Sequence, residues 1–382
     1  MRTFRRVAAQ AGAGLAVVGL LAGCSVPAGT TAALTTATTA GRGSTGVVTV
    51  PAATTSLAKA ALPKPSADDA VNRVVAISVD GLNPAAITKL GRSGAPNFHR
   101  LMREGATTLN ARTAQEQTRT LSNHTGMLTG RRIDDRRGGH GVTFNSDTGT
   151  TVHRAAGAYV SSVFDVVHDQ GGSTALFTAK QKFALYQRTW NTKGAADKVG
   201  RDNGRAKIDR FTVDTDNARL VGTVTAELRT SPRTFTFVHL SLPDQVGHDK
   251  GFMSSSYLQA VRRTDQLLGQ ILATISSRPA LRSQTLVVLT ADHGGDGASH
   301  SEASKRANYT VPFMVWGPNV AAGRNLYSLN SSYASPGSKR TGYTGKQPIR
   351  NGDLANFATD VLDLPRVPGA QFDKSRKLTA FR

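Results

Sequence analysis

Short runs of β-branched and other apolar residues alternate along the chain with longer stretches in which apolar residues recur at helical spacing. The runs RVVAISV (73–79), TFTFVHLSL (234–242) and TLVVLTA (285–291) are mostly apolar, which is typical of strands buried on both faces. Residues 255–275 place apolar side chains three and four positions apart and predict an amphipathic helix. This alternation predicts an α/β fold with a mostly parallel central sheet and helices on both faces.

The N-terminal stretch MRTFRRVAAQAGAGLAVVGLLAGC has the pattern of an export signal. Three arginines precede a short apolar segment, and small residues stand before Cys24. The pattern predicts a secretory signal peptide over residues 1–23, too short to span a membrane. Residues 21–24 resemble the bacterial lipoprotein box, in which the cysteine is lipidated. We therefore expect an exported protein, held on the outer face of the bacterial cell membrane by a lipid on Cys24. The alternative is an ordinary signal peptide with an incidental cysteine.

Composition divides the rest of the chain into a tether and one large domain. Residues 24–69 are rich in Ala, Thr, Gly and Pro and show no periodicity, which predicts a flexible tether. Residues 70–382 contain all the predicted strands and are long enough for a single α/β domain. Within this domain, residues 191–218 are polar and aperiodic, and we expect a surface excursion there.

The chain is strongly basic, with a formal net charge of +21. Such a charge suits phosphorylated substrates or anionic lipid headgroups as partners, but a solvated basic surface is the simpler interpretation and the one we prefer. The basic residues are scattered, and no basic stretch is interleaved with aromatic residues, so we expect no specific nucleic-acid binding. Cys24 is the single cysteine, so an intramolecular disulfide is excluded, and any metal ion must be held by histidines and carboxylates.

An aspartate follows each of the three predicted strands, and histidines stand near two of these aspartates. The side chains concerned are Asp80, Asp244 with His248, and Asp292 with His293 and the nearby His300. Ligands bind at the carboxyl ends of the strands in open α/β sheets. Three carboxylates brought together there would repel one another, and two divalent cations would relieve that repulsion. Carboxylate and imidazole ligands suit Zn²⁺, while Mn²⁺ and Fe stay open. Taken singly, each motif also fits a polar turn.

The segment TRTLSNHTGMLTGRRIDDRRGGHGVTFN (118–145) begins as a loop that enters a helix. Thr120 stands at the predicted start of this helix, where a threonine is usually an N-cap. Beside two metal ions the same hydroxyl would suit a nucleophile, because a bound metal lowers its pKa and a helix N-terminus favours negative charge. Both interpretations stay open at this point.

Together these motifs resemble the alkaline phosphatase superfamily, and most closely its type I phosphodiesterase/nucleotide pyrophosphatase branch. The resemblance extends over about residues 72–370. It rests on Asp80-Gly81, Thr120-Leu121-Ser122-Asn123-His124 with Thr129-Gly130, His140-Gly141 with Asn145, Pro243-Asp244-Gln245-Val246-Gly247-His248, and Asp292-His293-Gly294. Ser122 stands where the family usually has proline, which would preset the first helical turn. Serine either loosens this turn or supplies an additional hydrogen bond near the site.

The resemblance implies an alkaline-phosphatase-like catalytic domain over residues 70–382 and a phosphoric ester hydrolase of the phosphodiesterase/nucleotide pyrophosphatase type. It implies that Thr120 forms a phosphothreonine intermediate and that Asn145 donates to a phosphoryl oxygen. His124 and His140 belong to the motifs but are not expected to be ligands. Two zinc ions are implied, one held by Asp244, His248 and His300, and the other by Asp80, Asp292, His293 and the Thr120 oxygen.

Two alternatives share these residues. The first is an alkaline phosphomonoesterase, which would use the same metal ions. A preference for diesters over monoesters usually depends on a stacking pocket rather than on the metal ions. Phe183, Tyr186 and Trp190 are candidates for such a pocket, although core packing is the simpler role for them. The other alternative is a non-catalytic surface lipoprotein with a phosphatase-like fold. A sulfatase is disfavoured because the chain lacks the Cys/Ser-x-Pro-x-Arg motif. We expect a phosphorylated small molecule or nucleotide as substrate.

Overall fold

Eight β-strands form one sheet in the part of the chain that the computed structural model describes, which is residues 70–382 apart from 193–195, 198–199 and 374–375. The strands are β1 (Arg73–Val79), β2 (Ala106–Arg112), β3 (Thr174–Thr178), β4 (Arg210–Val213), β5 (Phe235–Leu240), β6 (Thr285–Thr290), β7 (Thr310–Trp316) and β8 (Arg324–Asn325). Their spatial order is β4-β3-β5-β1-β6-β7-β2-β8. Every pairing is parallel except those of β7, which runs antiparallel to both β6 and β2. The predicted mostly parallel sheet is confirmed.

Helices pack on this sheet in two groups. The α-helices of the described residues are α1 (Pro84–Gly94), α2 (Pro96–Glu104), α3 (Thr120–Thr129), α4 (Val152–Ala156), α5 (Val163–Asp169), α6 (Ala184–Gln187), α7 (Asn217–Thr230), α8 (Leu242–Lys250), α9 (Ser255–Ser276), α10 (Pro279–Gln284), α11 (Arg306–Tyr309), α12 (Leu326–Leu329) and α13 (Leu354–Val361). Helix α9 packs against α1, α2, α7, α8 and α10, whereas α13 packs against α3 and α5. Strands β5 and β6 are buried at every position, as expected for a sheet covered on both faces.

The four elements predicted from the hydrophobic pattern are present within two residues of their predicted bounds. Helix α9 begins where it does because the side chain of Ser254 accepts a hydrogen bond from the backbone of Tyr257 at 3.2 Å, an N-cap. Its apolar face, which includes Val261, Leu268 and Ile271, is buried. Among the described helices, none has both the length and the apolar character that a membrane crossing requires.

The predicted surface excursion over residues 191–218 is wrong at its C-terminal end. Residues 210–213 form β4, which pairs in parallel with β3, and α7 begins at Asn217. Strand β4 lies at one edge of the sheet and its residues are only partly buried. The apolar signal of this strand is weak for that reason, since an edge strand keeps polar side chains facing water.

The predictions for residues 1–69 fall outside the described part of the chain. The signal peptide, the lipidation of Cys24 and the tether over residues 24–69 therefore stay predictions.

The three strands that precede the predicted site lie next to one another at the centre of the sheet. Strand β1 is flanked by β5 and β6, and its register pairs Val79 with Leu240 and Ser78 with Thr290. The backbone N–H of Asp80 donates to the carbonyl of Leu240 at 2.9 Å. The segments that follow the three strands therefore leave the sheet together at its carboxyl edge.

Candidate metal and nucleophile site

Two of the three predicted aspartates follow their strands, and the third lies on a helix. Asp80 comes directly after β1, and Asp292 comes shortly after β6. Asp244 lies in the first turn of α8, a helix whose start is favoured by Pro243, and His248 lies one turn further on. The two side chains therefore share one face of α8, and they do not form the polar turn that such a pair makes in a loop.

Asp80, Asp292 and His293 form a group that we call the buried cluster, because each has no exposed surface. The imidazole Nε2 of His293 lies 3.4 Å from Asp80 Oδ1 and 3.1 Å from Asp292 Oδ2. The other ring nitrogen, Nδ1, donates to the carbonyl of Gly294 at 2.8 Å. Nε2 is therefore the nitrogen that faces both carboxylates.

Asp244, His248 and His300 form a second group, which we call the rim cluster, because the side chain of His248 is 47% exposed. Each histidine donates its Nδ1–H to a backbone carbonyl, His248 to Ala298 at 2.9 Å and His300 to Thr118 at 2.6 Å. Their Nε2 atoms lie 3.1 Å apart and 3.4 and 3.7 Å from Asp244 Oδ1. Both Nε2 atoms and Asp244 Oδ1 thus point at one position, where a bound cation would be stabilised by all three.

The orphaned polar atoms of the site test whether these residues fit metal ions. Each of the following atoms is buried and has no hydrogen-bond partner among the described residues: Asp80 Oδ1, Asp244 Oδ1, Asp292 Oδ2, His293 Nε2 and Thr120 Oγ1. Leaving so many buried polar atoms unpaired is costly unless a ligand satisfies them. Carboxylate oxygens and imidazole nitrogens are the donors that divalent transition metals prefer. The residues present therefore fit two metal ions.

His293, a member of the buried cluster, also lies close to two residues of the rim cluster. One ligand atom from each of Asp80, Asp292 and His293 lies within 4.8 Å of the other two, and the same holds for Asp244, His293 and His300. The rings of His293 and His300 are stacked with their centroids 3.5 Å apart. His293 thus lies between the two candidate metal positions.

The clusters also differ in their ionisation. Burial by itself lowers the pKa of His293, but the charges of Asp292 and Asp80 outweigh it and raise the pKa to about 9. Burial, together with the nearby His293, lowers the pKa of His300 to about 3. His300 is therefore neutral at physiological pH and presents a free lone pair. Burial and the charge of Asp80 raise the pKa of Asp244.

Thr120 is the first residue of α3 and is not its N-cap. The N-cap position belongs to Arg119, which makes no capping hydrogen bond with its side chain. The N-cap interpretation of Thr120 is therefore wrong. The Thr120 hydroxyl is buried at the N-terminus of α3 and forms no hydrogen bond with the described residues. His124 links Thr120 to the buried cluster, because its Nδ1 lies 2.8 Å from the Thr120 carbonyl oxygen and 3.5 Å from Asp292 Oδ2.

Asn145 lies against the start of the same helix. Its Oδ1 accepts hydrogen bonds from the backbone N–H of Leu121 at 3.1 Å and from Lys182 Nζ at 3.2 Å. Because the oxygen is committed to these two donors, the amide nitrogen is the end that can donate to an incoming oxygen. This orientation supports the predicted role of Asn145.

Ser122, which replaces the proline usual in the family, forms a hydrogen bond of its own. Its hydroxyl donates to Gln117 Oε1 at 3.1 Å. The serine therefore braces the first turn of α3 against the segment before it, which is the second of the two roles considered for it.

Two residues of the site were not predicted from the sequence. Lys180 lies just after β3, and its Nζ lies 2.7 Å from Asp80 Oδ2 and 2.6 Å from Asp244 Oδ2. His239, within β5, donates its Nε2–H to Asp80 Oδ2 at 2.9 Å. Burial by itself raises the pKa of Asp80, but Lys180 and His239 outweigh it and hold the pKa well below its usual range. A lysine near a strand end and a histidine within an apolar run gave no signal, because only the sheet order brings them to Asp80.

Other candidate residues have structural roles. Phe183, Tyr186 and Trp190 are at most 1% exposed and belong to the hydrophobic core, so none of them offers a stacking surface to a substrate. Nδ1 of the buried His140 accepts from the backbone N–H of Val142 at 3.1 Å. These positions agree with the simpler interpretation given for each from the sequence.

Comparison with known proteins identifies a family. The model of the type I phosphodiesterase/nucleotide pyrophosphatase family matches residues 74–312. The phosphopentomutase of Desulfitobacterium hafniense is 34% identical over 97 residues, which make up 25% of this chain and 23% of the phosphopentomutase. This chain thus aligns with about a quarter of the length of that curated relative.

Solved structures share the fold. Murine ectonucleotide pyrophosphatase/phosphodiesterase 5, solved as an inactive form in complex with AMP, is 12% identical with a TM-score of 0.54, over 78% of this chain and 96% of that chain. A 2-O GAG sulfatase is 14% identical with a TM-score of 0.54, over 78% of this chain and 72% of that chain. At these identities the likeness concerns the fold alone. With the family match, it confirms the predicted alkaline phosphatase superfamily, whereas the predicted hydrolysis of phosphoric esters stays a proposal.

Proposed function

This chain belongs to the type I phosphodiesterase/nucleotide pyrophosphatase family, a family of metal-dependent phosphoesterases, and on that premise we propose that it hydrolyses phosphate esters with Thr120 as its nucleophile. The observation that carries the proposal is the set of buried donor atoms left unpaired around Thr120. Two carboxylate-imidazole clusters beside a free hydroxyl at a helix N-terminus form an arrangement suited to phosphoryl transfer.

The chain divides its ligands between two metal positions. The buried cluster and the Thr120 hydroxyl would hold one cation, and the rim cluster would hold the other. When bound, two cations, for which Zn²⁺ suits the donor set best, would lower the pKa of the Thr120 hydroxyl, neutralise the leaving oxygen and supply the hydrolytic water.

The protein's own groups carry out the displacement in two steps. Thr120 Oγ1 gives its proton to solvent and attacks phosphorus. The bond from phosphorus to the leaving oxygen breaks, and that oxygen departs with the electron pair and takes up a proton from solvent. Water then attacks the phosphothreonine at the same phosphorus, the bond to Thr120 Oγ1 breaks, and the hydroxyl is regenerated. The amide nitrogen of Asn145 donates to a phosphoryl oxygen, and the N-terminus of α3 stabilises the charge on the phosphoryl group.

Replacing the nucleophile tests the mechanism. Thr120→Ala should lower kcat for nitrophenyl phosphate esters by at least about 10³-fold, because the substitution removes the attacking oxygen. Metal content and melting temperature should stay close to those of the unchanged protein. Thr230→Ala, on an exposed position at the end of α7, is the matched control and should keep full activity. A Thr120→Ala protein that retains most of its rate would overturn the proposal.

A phosphomonoester is the second candidate substrate. The three aromatic residues considered for a stacking pocket lie in the core, which removes the feature that would favour a diester. Lys180 and Lys182, which contact Asp80 and Asn145, add positive charge to the site, and this favours the extra negative charge of a monoester. Comparing kcat/KM for nitrophenyl phosphate, bis-nitrophenyl phosphate, a dinucleotide and AMP distinguishes these classes, AMP being the ligand of the murine structure.

Metal analysis separates an enzyme from a non-catalytic lipoprotein with the same fold. We expect about two zinc ions per chain after reconstitution, one for each cluster. A protein that takes up no divalent metal and hydrolyses no phosphate ester would support the non-catalytic alternative.

Export and anchoring remain part of the proposal. We expect the signal peptide to be removed before Cys24 and the lipid on this cysteine to hold the domain outside the membrane. Cys24→Ala should move the protein from the detergent phase to the aqueous phase when membranes are extracted. Equal partitioning of the two forms would refute the anchor.

A further inference from the structure

Lys180 joins two aspartates that belong to different clusters. Its Nζ lies 2.7 Å from Asp80 Oδ2, in the buried cluster, and 2.6 Å from Asp244 Oδ2, in the rim cluster. The side chain of Lys180 is 16% exposed, and the side chains of Asp80 and Asp244 are 0% and 4% exposed. A single ammonium group therefore spans the two candidate metal positions from one side.

The two oxygens of each carboxylate are used differently. Oδ2 of Asp80 and Oδ2 of Asp244 contact Lys180, whereas Oδ1 of each is buried without a hydrogen bond among the described residues. Asp80 Oδ1 faces His293 at 3.4 Å and Asp244 Oδ1 faces His248 at 3.4 Å. The division is the same in both clusters: one oxygen is committed to Lys180 and the other is directed at the site.

His239 reinforces this division at Asp80. The backbone N–H of Ala179 donates to His239 Nδ1 at 3.3 Å, so the ring proton is on Nε2, which donates to Asp80 Oδ2 at 2.9 Å. Asp80 Oδ2 thus contacts two cationic or N–H donors, and Oδ1 alone is left for a metal ion.

We infer that Lys180 is a positioning residue that limits Asp80 and Asp244 to one metal-facing oxygen each, and that also balances their charge when no metal is bound. The inference rests on the two-metal function proposed above. One ammonium serves both clusters, so its removal should change the coordination at both positions together. A lysine suits this place because its ammonium is a compact charge with three donors that can reach two carboxylates.

The charge balance gives the inference a second consequence. Without metal ions, loss of Lys180 removes the one ammonium group that contacts both buried carboxylates, and removing one partner of a buried ion pair is strongly destabilising. With metal ions bound, the cations supply that compensation. Lys180 should therefore matter more for the stability of the metal-free protein than for that of the metal-loaded protein, whereas an ordinary structural ion pair would matter equally in both.

Lys180→Met in the full-length chain tests both consequences with Co²⁺ as the probe. The melting temperature should fall by about 5–10 °C more in the metal-free than in the Co²⁺-loaded protein. The visible absorption of bound Co²⁺ should weaken about twofold. Without Lys180, Oδ2 of Asp80 and Oδ2 of Asp244 become free to bind Co²⁺ as well, and Co²⁺ absorbs less at the higher coordination number. Lys180→Arg keeps the charge and should restore at least half of the melting temperature that the metal-free protein loses on Lys180→Met.

Lys182→Met is the matched control, since Lys182 comes from the same segment but contacts Asn145 and neither aspartate. Its melting-temperature difference and Co²⁺ spectrum should equal those of the unchanged protein. If the unchanged protein binds no Co²⁺, the two-metal function fails and this inference fails with it. If it binds two Co²⁺ ions, while Lys180→Met lowers both melting temperatures equally and leaves the spectrum unchanged, this inference alone is overturned. Should the metal-free Lys180→Met protein not fold, the spectrum of protein refolded with Co²⁺ decides.

Discussion

The buried cluster and the rim cluster contain the same kinds of ligand but are built on different supports. Asp80 and Asp292 follow central strands and are fixed by the sheet, with Asp292 Oδ1 accepting from the backbone N–H of Gly81 at 3.1 Å. Asp244 and His248 lie on α8, the helix that follows β5. The side chain of His293 is 0% exposed and that of His248 is 47% exposed.

This difference separates two tasks that one active site has to perform. The nucleophile needs a dry and rigid surrounding, because electrostatic effects are stronger where water is excluded. The leaving group and the hydrolytic water need a route to solvent. We therefore expect the buried cluster to hold its metal ion more firmly and the rim cluster to exchange its metal ion more readily.

The largest effects should come from two single variants, each of which removes one carboxylate from one of the clusters. Asp292→Asn should lose one metal equivalent and lower kcat/KM by at least about 10³-fold, because Thr120 loses the cation that activates it. Asp244→Asn should lose the other equivalent with a smaller decrease, about 10²-fold. Metal analysis and steady-state kinetics measure both quantities. A larger loss for Asp244→Asn would reverse the assignment of the two tasks.

Within the rim cluster, the two histidines should differ because their burial differs. His300→Gln should weaken metal binding by about 100-fold and the half-exposed His248→Gln by about tenfold, each tenfold step being about 1.4 kcal/mol. Competition with a coloured chelator gives the dissociation constants. Equal losses would show that exposure does not set the contribution of a ligand here.

Acid and base should destabilise the metal-free protein through different clusters. The pKa of His293 is raised to about 9, so its contribution is complete below about pH 6.5, the ordinary pKa of histidine, and is lost as the pH rises to 9. The pKa of His300 is lowered to about 3, so stability is lost as the pH falls from about 6.5 to 3. Each slope should be at most about 1.4 kcal/mol per pH unit.

Denaturant unfolding of chelated protein across this pH range measures the two slopes. His293→Gln should flatten the alkaline side and leave the acid side as it is, and His300→Gln should do the reverse. Identical profiles for the two variants would contradict the opposite ionisation of the clusters.

The smallest effect concerns the segment that joins the clusters. This segment carries Thr118, whose carbonyl accepts from His300, and ends at Thr120 beside the buried cluster. Ser122→Ala removes the hydrogen bond to Gln117 and should reduce the free energy of unfolding by about 1 kcal/mol. The rate should change by less than about fivefold, because at most about 1 kcal/mol is added to the barrier. A tenfold loss of kcat would instead mean that this bond positions the nucleophile.

Much of the fold could be predicted because its central strands and longest helix have regular hydrophobic patterns. Strands β1, β5 and β6 are buried on both faces and therefore appear as apolar runs, and α9 buries one face. The antiparallel direction of β7 and the existence of β4 could not be predicted in this way. Strand direction depends on how the chain connects distant strands, and an edge strand carries too little apolar signal.

The sequence by itself determined the ligand chemistry: carboxylates and imidazoles without thiolates, placed after strands whose ends meet in a parallel sheet. It also marked Thr120 and Asn145, through motifs shared with a family. Only the tertiary structure decided that Thr120 is not an N-cap, that Asp244 and His248 lie on a helix face, and that Lys180 lies between Asp80 and Asp244. These features depend on contacts between segments far apart in the chain, and local sequence patterns carry no information about which distant side chains will meet.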